Sequence, residues 1–128
     1  MQNIIPTEPS NAPDYIRVVL DKTKNNRRLA LIIFKKLFEE LPEQLDGIEG
    51  SLKAGDYETA WGITHKLHGS VSFCGLTELQ EPAKKLELCL TNKNYHTIAQ
   101  DLLQLQQKVL TFTRYRDAIL ADLGNNTI

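Results

Sequence analysis

The spacing of the apolar residues is the strongest constraint on what this 128-residue chain can fold into. From Arg27 onward they recur at steps of three or four, which places them along one face of an α-helix. No segment shows the sustained alternation of apolar and polar residues that a half-buried strand requires. The pattern therefore predicts an all-α protein.

Four principal helices account for this pattern. The first starts at Arg27, and the second runs from Tyr57 to about Ser72 after a turn and N-cap supplied by Gly55 and Asp56. The third opens at Thr77, and the last ends near Gly124. The apolar stripe of the first helix consists of Leu29, Ile32, Ile33, Leu37, Leu41, Leu45, Ile48 and Leu52. That of the third helix consists of Leu79, Ala83, Leu86 and Leu90. That of the last helix consists of Ile98, Leu102, Leu105, Val109, Phe112 and Ile119.

Local signals refine these helices. Pro42 predicts a kink near residues 39–41 or a break into two helices, because proline lacks an N–H and crowds the preceding turn. Thr77 and Gln80 resemble a capping box at the start of the third helix. The connections are short, as at the polar turn over residues 91–94, and short connections make neighbouring helices antiparallel. We therefore expect an up-and-down four-helix bundle.

The sequence predicts one domain over residues 15–124. Residues 1–14 contain three prolines and are expected to form a flexible tether, and residues 125–128 a C-terminal tail. A short additional helix starts at Tyr15 and is interrupted by Asn25 and Asn26. The proline-rich start favours a fragment of a longer protein over a free-standing one.

Composition excludes several classes of function. The chain has 15 basic and 16 acidic residues, which gives no field to attract nucleic acid. The longest apolar run, Leu29–Phe34, is too short to cross a bilayer, and the N-terminal residues do not resemble a secretory signal. Two cysteines in a domain large enough to fold without a disulfide indicate a reduced, cytoplasmic context. We expect a monomer with no direct membrane insertion.

The second helix places one histidine away from the core. At 100° per residue its buried face consists of Ala60, Thr64, Leu67 and Val71, and His65 lies more than about 100° from the centre of that face. Gly62 and Gly69 stand one turn before and one turn after His65, although each interior glycine costs about 1 kcal/mol relative to alanine. With Glu58 and Ser72 they form a stripe of mostly small residues, which suits docking of another protein around one exposed nucleophile.

The run from His65 to Ser70, followed by Gly75, Leu79 and Leu86-Glu87, resembles the histidine-containing phosphotransfer (HPt) domain. The resemblance covers about residues 16–123 and is greatest to the terminal HPt module of BarA and GacS type hybrid sensor histidine kinases. It implies a carrier in a multistep two-component phosphorelay and, if the chain is a fragment, a parent that is a membrane-anchored hybrid sensor histidine kinase. Such a carrier takes a phosphoryl group from a receiver-domain aspartate, passes it to a response regulator and has no kinase site of its own.

The resemblance also assigns residues. It makes His65 the phospho-accepting histidine and Gly69 a clearance position, with Gly75 shaping the next turn and Ser70 and Glu87 completing the structural motif. His68 stands where most members of the family have lysine, so it would lie beside the phosphoryl group with a pH-dependent charge. No cofactor is expected to be bound, because the partner receiver would supply Mg²⁺.

Other interpretations of these residues remain open. The same face could belong to a noncatalytic module that binds a receiver domain without transfer, or His65 and His68 could share a metal ion, although further ligands are missing nearby. The remaining candidates have simple structural interpretations. We expect Cys74 and Cys89 to be small core residues, and Trp61, Phe34, Phe38 and Phe112 to lie in the core or at its edge. Lys84, Lys85 and His96 are expected at the solvated surface, where the two lysines could also help an acidic receiver dock.

Overall fold

The computed structural model describes the backbone of residues 8–125 and the side chains of residues 15–124. Within this part of the chain all regular structure is helical and there is no strand, which confirms the all-α prediction. The helices are α1 (Glu8–Lys22), α2 (Arg27–Lys53), α3 (Tyr57–Phe73), α4 (Thr77–Thr91), α5 (Ile98–Thr113) and α6 (Arg116–Asn125).

Helices α2 to α5 form the predicted four-helix bundle. Helix α3 packs against α2 and α4, and α5 packs against α4 and also contacts α2. The three connections between them are short, so neighbouring helices run antiparallel. Helices α1 and α6 pack against each other and against α2. In the described part of the chain, no helix is long and apolar enough to cross a membrane.

Side-chain caps start two of the bundle helices. The Asn26 side chain accepts a hydrogen bond from the Leu29 N–H at 2.9 Å, and Asp56 accepts one from the Thr59 N–H at 3.1 Å. Helix α4 differs from the prediction, because its N-cap residue is Leu76 and no side chain caps it. The predicted capping box at Thr77 is therefore wrong: Thr77 already lies inside the helix, where its side chain cannot serve as the N-cap.

The buried faces of α3 and α4 are the predicted ones. Ala60, Thr64, Leu67 and Val71 are buried on α3, and Leu79, Ala83, Leu86 and Leu90 on α4. On α2 the prediction is wrong at Leu29 and Ile32, which are both exposed. The buried stripe of α2 instead starts at Ala30 and Phe34. The Phe34 ring is part of an aromatic cluster with Tyr15, Phe38, Phe112 and Tyr115.

The last predicted helix is two helices. Helix α5 ends at Thr113, and the chain turns at Arg114 and Tyr115 before α6 begins. The spacing from Phe112 to Ile119 is seven residues, which fits a continuous helix and therefore gave no sign of the turn. The turn buries the Tyr115 ring beside Tyr15, with ring centroids 5.6 Å apart, and lets α6 pack against α1 and α2.

Pro9 and Pro42 both lie within helices, whereas the sequence predicted a tether around Pro9 and a kink or a break near Pro42. Helix α1 begins at Glu8, seven residues before the predicted start, and Pro9 lies in its first turn, where a helix needs no N–H donor. The rest of the expected tether, residues 1–7, and the tail over residues 126–128 lie outside the described residues. Pro42 does not break α2, which is continuous from Arg27 to Lys53.

A buried carboxylate joins α4 to α5. Asp101 is 2% exposed and accepts hydrogen bonds from the Cys89 thiol at 2.8 Å and the Thr97 hydroxyl at 2.9 Å, with the Lys85 ammonium 3.6 Å away. Burial would raise the pKa of Asp101, but these donors and the lysine outweigh it, so the pKa is lowered. Cys89 is therefore not a simple core residue, since its thiol is part of a polar network.

Candidate functional site

Helix α3 displays His65 on its solvent side. The helix is anchored at its start by the Asp56 cap and along its length by the apolar face opposite the histidine. The His65 side chain is 60% exposed, which confirms the placement predicted from helical geometry. The chain therefore presents an imidazole ring to solvent from the middle of a packed helix.

Glu87 on α4 binds both histidines of α3. Its Oε2 atom accepts a hydrogen bond from His65 Nδ1 at 2.8 Å, and its Oε1 atom accepts one from His68 Nδ1 at 2.7 Å. The two histidines differ in access, since the His68 side chain is only 24% exposed. The structure thus brings together three predicted site residues, and Glu87, expected only as part of a structural motif, is the residue that joins them.

The protonation of Glu87 determines the tautomers of both rings. Partial burial would raise the pKa of Glu87, but the hydrogen bonds and charges of His65 and His68 outweigh this and the pKa is lowered. An ionised carboxylate only accepts hydrogen bonds, so each ring must present an N–H at Nδ1. In the neutral ring the lone pair then lies on Nε2, and the Nε2 atom of the exposed His65 side chain is a competent nucleophile.

The glycines beside His65 leave open space. A Cβ atom placed on Gly62 or Gly69 would have no other atom within 4 Å, apart from the two residues adjacent in the chain and the backbone of the helix itself. Packing inside the protein therefore does not explain either glycine. Of the other two members of the predicted docking stripe, Glu58 is exposed and Ser72 is half-buried.

Gly75 has a structural reason that Gly62 and Gly69 lack. Its φ angle is +75°, a left-handed conformation that side chains disfavour, and a Cβ there would lie 3.0 Å from Val18 and 3.1 Å from Lys22. The turn after α3 therefore favours glycine at this position. Ser70 contributes its backbone to the same helix end, where its carbonyl accepts a hydrogen bond from the Cys74 N–H.

Trp61 is the site residue that the sequence interpretation missed. It was expected at the core or its edge, but its side chain is 38% exposed and its indole stacks on the His65 ring. The ring centroids are 4.9 Å apart and the planes are 8° from parallel. The indole N–H also donates a hydrogen bond to the Thr91 hydroxyl on α4 at 2.9 Å. The spacing of four residues between Trp61 and His65 was the available signal, because such pairs are neighbours on a helix.

The remaining candidates lie apart from this arrangement. His96 is exposed in the loop before α5, and Lys84 and Lys85 are exposed on α4. Cys74 is buried, and burial raises the pKa of its thiol to about 11. Among the described side chains, no group of three or more potential ligands is arranged to hold a metal ion.

Comparisons with known proteins give a matching family and a matching fold. Residues 33–123 match the model of a family described as the Hpt domain. A crystal structure of the HPT domain from a sensor hybrid histidine kinase of Shewanella superposes with a TM-score of 0.71. It is 24% identical in sequence, and the match covers 88% of this chain and 95% of that one. No curated protein matches the chain.

Proposed function

The chain belongs to the HPt domain family, a family of phosphotransfer carriers, and on this premise we propose that His65 is its phosphoryl-accepting residue. In this proposal His65 receives a phosphoryl group from an aspartyl phosphate on a receiver domain and passes it to the aspartate of a response regulator. The partners are thus the receiver domains of a hybrid kinase and of a response regulator, and the carrier acts as a cytoplasmic monomer.

The observation that supports this assignment is the shared carboxylate. Glu87 occupies Nδ1 of His65 and leaves Nε2 free on a side chain that is 60% exposed. His68 has the same hydrogen bond but is much less accessible, so His65 is the better acceptor. The open space at Gly62 and Gly69 would let a large partner approach the ring.

The transfer itself is a displacement at phosphorus. The lone pair on His65 Nε2 attacks the phosphorus of the aspartyl phosphate, the P–N bond forms, and the bond from phosphorus to the aspartate oxygen breaks. The aspartate leaves as a carboxylate, and no proton needs to be moved. The ring gains positive charge in this step, and the Glu87 carboxylate at Nδ1 stabilises that charge. The reverse steps deliver the phosphoryl group to the next receiver.

Neighbouring groups would neutralise the phosphoryl charge. We expect Mg²⁺ to be supplied by the receiver, and we assign His68 to the position beside the phosphoryl group. A His68→Lys variant puts a fixed cation at this position, and it should fold normally but change the rate of transfer or the lifetime of the phosphohistidine.

Phosphotransfer profiling tests the proposal. The protein is incubated with ³²P-labelled phosphorylated receiver domains, and the label should appear on it as an acid-labile, alkali-stable phosphohistidine. A His65→Gln variant should accept no label, while His96→Gln, which replaces an exposed histidine in the loop before α5, should be labelled like the wild type. Labelling of His65→Gln at the wild-type rate would refute the assignment. Binding of a receiver without any transfer would instead indicate a noncatalytic interaction module.

A further inference from the structure

We propose that Trp61 is a positioning residue for His65: its indole holds the imidazole ring in the orientation from which Nε2 accepts the phosphoryl group. The inference rests on the proposed role of His65 as the acceptor. It adds a residue to the site that acts through the histidine rather than by touching the phosphoryl group.

The indole is held from two helices. Trp61 belongs to α3, and its N–H donates to the Thr91 hydroxyl of α4 at 2.9 Å. Its ring then lies 4.9 Å from the His65 ring, with the two planes nearly parallel. A tryptophan on a helix surface has several rotamers, and the bond to Thr91 selects the one that covers the histidine.

The same two helices hold the imidazole at a second point. Thr91 and Glu87 are one turn apart on α4, and Trp61 and His65 are one turn apart on α3. Because the helices are antiparallel, Thr91 meets Trp61 while Glu87 meets His65. The hydrogen bond to Glu87 fixes one edge of the His65 imidazole, and the stack with Trp61 covers one face. Together they restrain rotation of the ring about the two side-chain torsions of His65.

This restraint matters because the histidine is exposed. An imidazole that is free to rotate must lose that freedom when the receiver docks, and small misplacements of a nucleophile slow phosphoryl transfer. Trp61 orders the ring before the partner arrives. Loss of the indole should therefore lower the maximal transfer rate, while the KM for the phosphorylated receiver stays the same.

Tyr57 supplies a matched control. It lies one turn before Trp61 on α3, is similarly exposed and also stacks on an aromatic ring, that of Tyr95, with centroids 4.0 Å apart. The stack of Tyr57 on Tyr95 does not include His65. Tyr57→Leu thus removes an exposed aromatic contact of the same helix and keeps Trp61, Thr91 and the stack on His65 in place.

The first experiment measures transfer from a phosphorylated receiver. Trp61→Leu should lower the maximal rate about 3- to 10-fold, the range expected from the loss of one aromatic pair. Trp61→Phe keeps a stacked face but loses the N–H, and Thr91→Val removes its acceptor, so each should have a smaller effect. Their double variant should be no slower than the slower single variant. Tyr57→Leu should transfer at the wild-type rate.

The second experiment needs no receiver. The ring protons of His65 should be shifted by the stacked indole in the NMR spectrum, and both Trp61→Leu and Thr91→Val should change these shifts while Tyr57→Leu does not. Phosphorylation of His65 by phosphoramidate, a small donor, should also be slowed in Trp61→Leu. If the His65 resonances and both rates are unchanged in Trp61→Leu, the inference is wrong.

The two experiments separate the inference from the proposed function. Wild-type protein that no receiver labels, combined with His65 resonances that respond to Trp61→Leu, would refute the relay role and leave the positioning contact intact. Normal transfer in every Trp61 and Thr91 variant would refute the positioning role and leave the relay intact.

Discussion

Alanine at Gly62 or Gly69 should stabilise the fold and at the same time slow phosphotransfer. Both glycines lie inside α3, and a Cβ at either position meets only open space. Since glycine costs about 0.5–1 kcal/mol relative to alanine in a helix, each substitution should raise the free energy of unfolding by that amount. For a domain of this size each should raise Tm by about 2–5 °C.

Transfer should change in the opposite direction. The added methyl group would point towards the partner on the face that carries His65, and a displacement of about 1 Å at a transfer site can cost up to about 100-fold in rate. We expect a loss of at least about tenfold for Gly69→Ala. Gly50→Ala on α2 is the control, because a Cβ there is also free of contacts and should stabilise the protein without slowing transfer.

Stability is measured by urea denaturation followed by circular dichroism, and transfer by the rate of labelling from a phosphorylated receiver. A loss of stability in Gly62→Ala or Gly69→Ala would mean that the space above the helix is not open. Increased stability with wild-type transfer would show that the partner does not need the clearance, and the docking role of both glycines would be wrong.

Three further predictions concern ionisable groups. Because folding lowers the pKa of Glu87, its contribution to stability is complete above the unfolded-state pKa, near its ordinary value of 4.5, and is lost as the pH falls through the lower folded-state pKa. Glu87→Gln should therefore be less stable than wild type by about 1 kcal/mol at neutral pH, and this difference should vanish in acid. A difference in stability that does not change with pH would contradict the prediction. Asp101→Asn should lower the free energy of unfolding, measured by urea denaturation, by about 1–3 kcal/mol because it weakens a buried hydrogen-bond network. Asp117→Asn is the control, because the Asp117 side chain is 97% exposed, and it should leave the free energy of unfolding unchanged. Equal effects of the two variants would exclude a role for burial. Cys74, with its pKa raised to about 11, should react with a disulfide reagent only after unfolding, and rapid reaction of the native thiol would show that it is accessible.

Much of the fold could be predicted because it depends on periodicity within single helices. The buried faces of α3 and α4 match the prediction residue for residue, and the same geometry predicted that His65 is exposed. Where the pattern was ambiguous the prediction failed. Leu29 and Ile32 are apolar but exposed, and the seven residues from Phe112 to Ile119 fit a continuous helix although the chain turns between them.

The residues of the site also divide into those that one helix was enough to predict and those that depend on a neighbouring helix. The exposure of His65 and the glycines beside it were predicted from their positions on one helix, whereas the partners of that histidine were not. Glu87 was expected only as a motif residue, and Trp61 as core or core edge. Both contacts depend on a second helix: Glu87 comes from α4, and Trp61 is held over the histidine by Thr91 of α4.

The sequence by itself determined that the chain is helical, which faces of α3 and α4 are buried and that one histidine of α3 points to solvent. Only the tertiary structure decided that one carboxylate binds both histidines and that an indole lies against the exposed ring. The physical reason is that the repeat of a helix fixes the direction of each side chain around its own axis. Which residue it meets on a neighbouring helix depends on how the two helices are offset along their lengths, and that offset is set by the packing of the whole core.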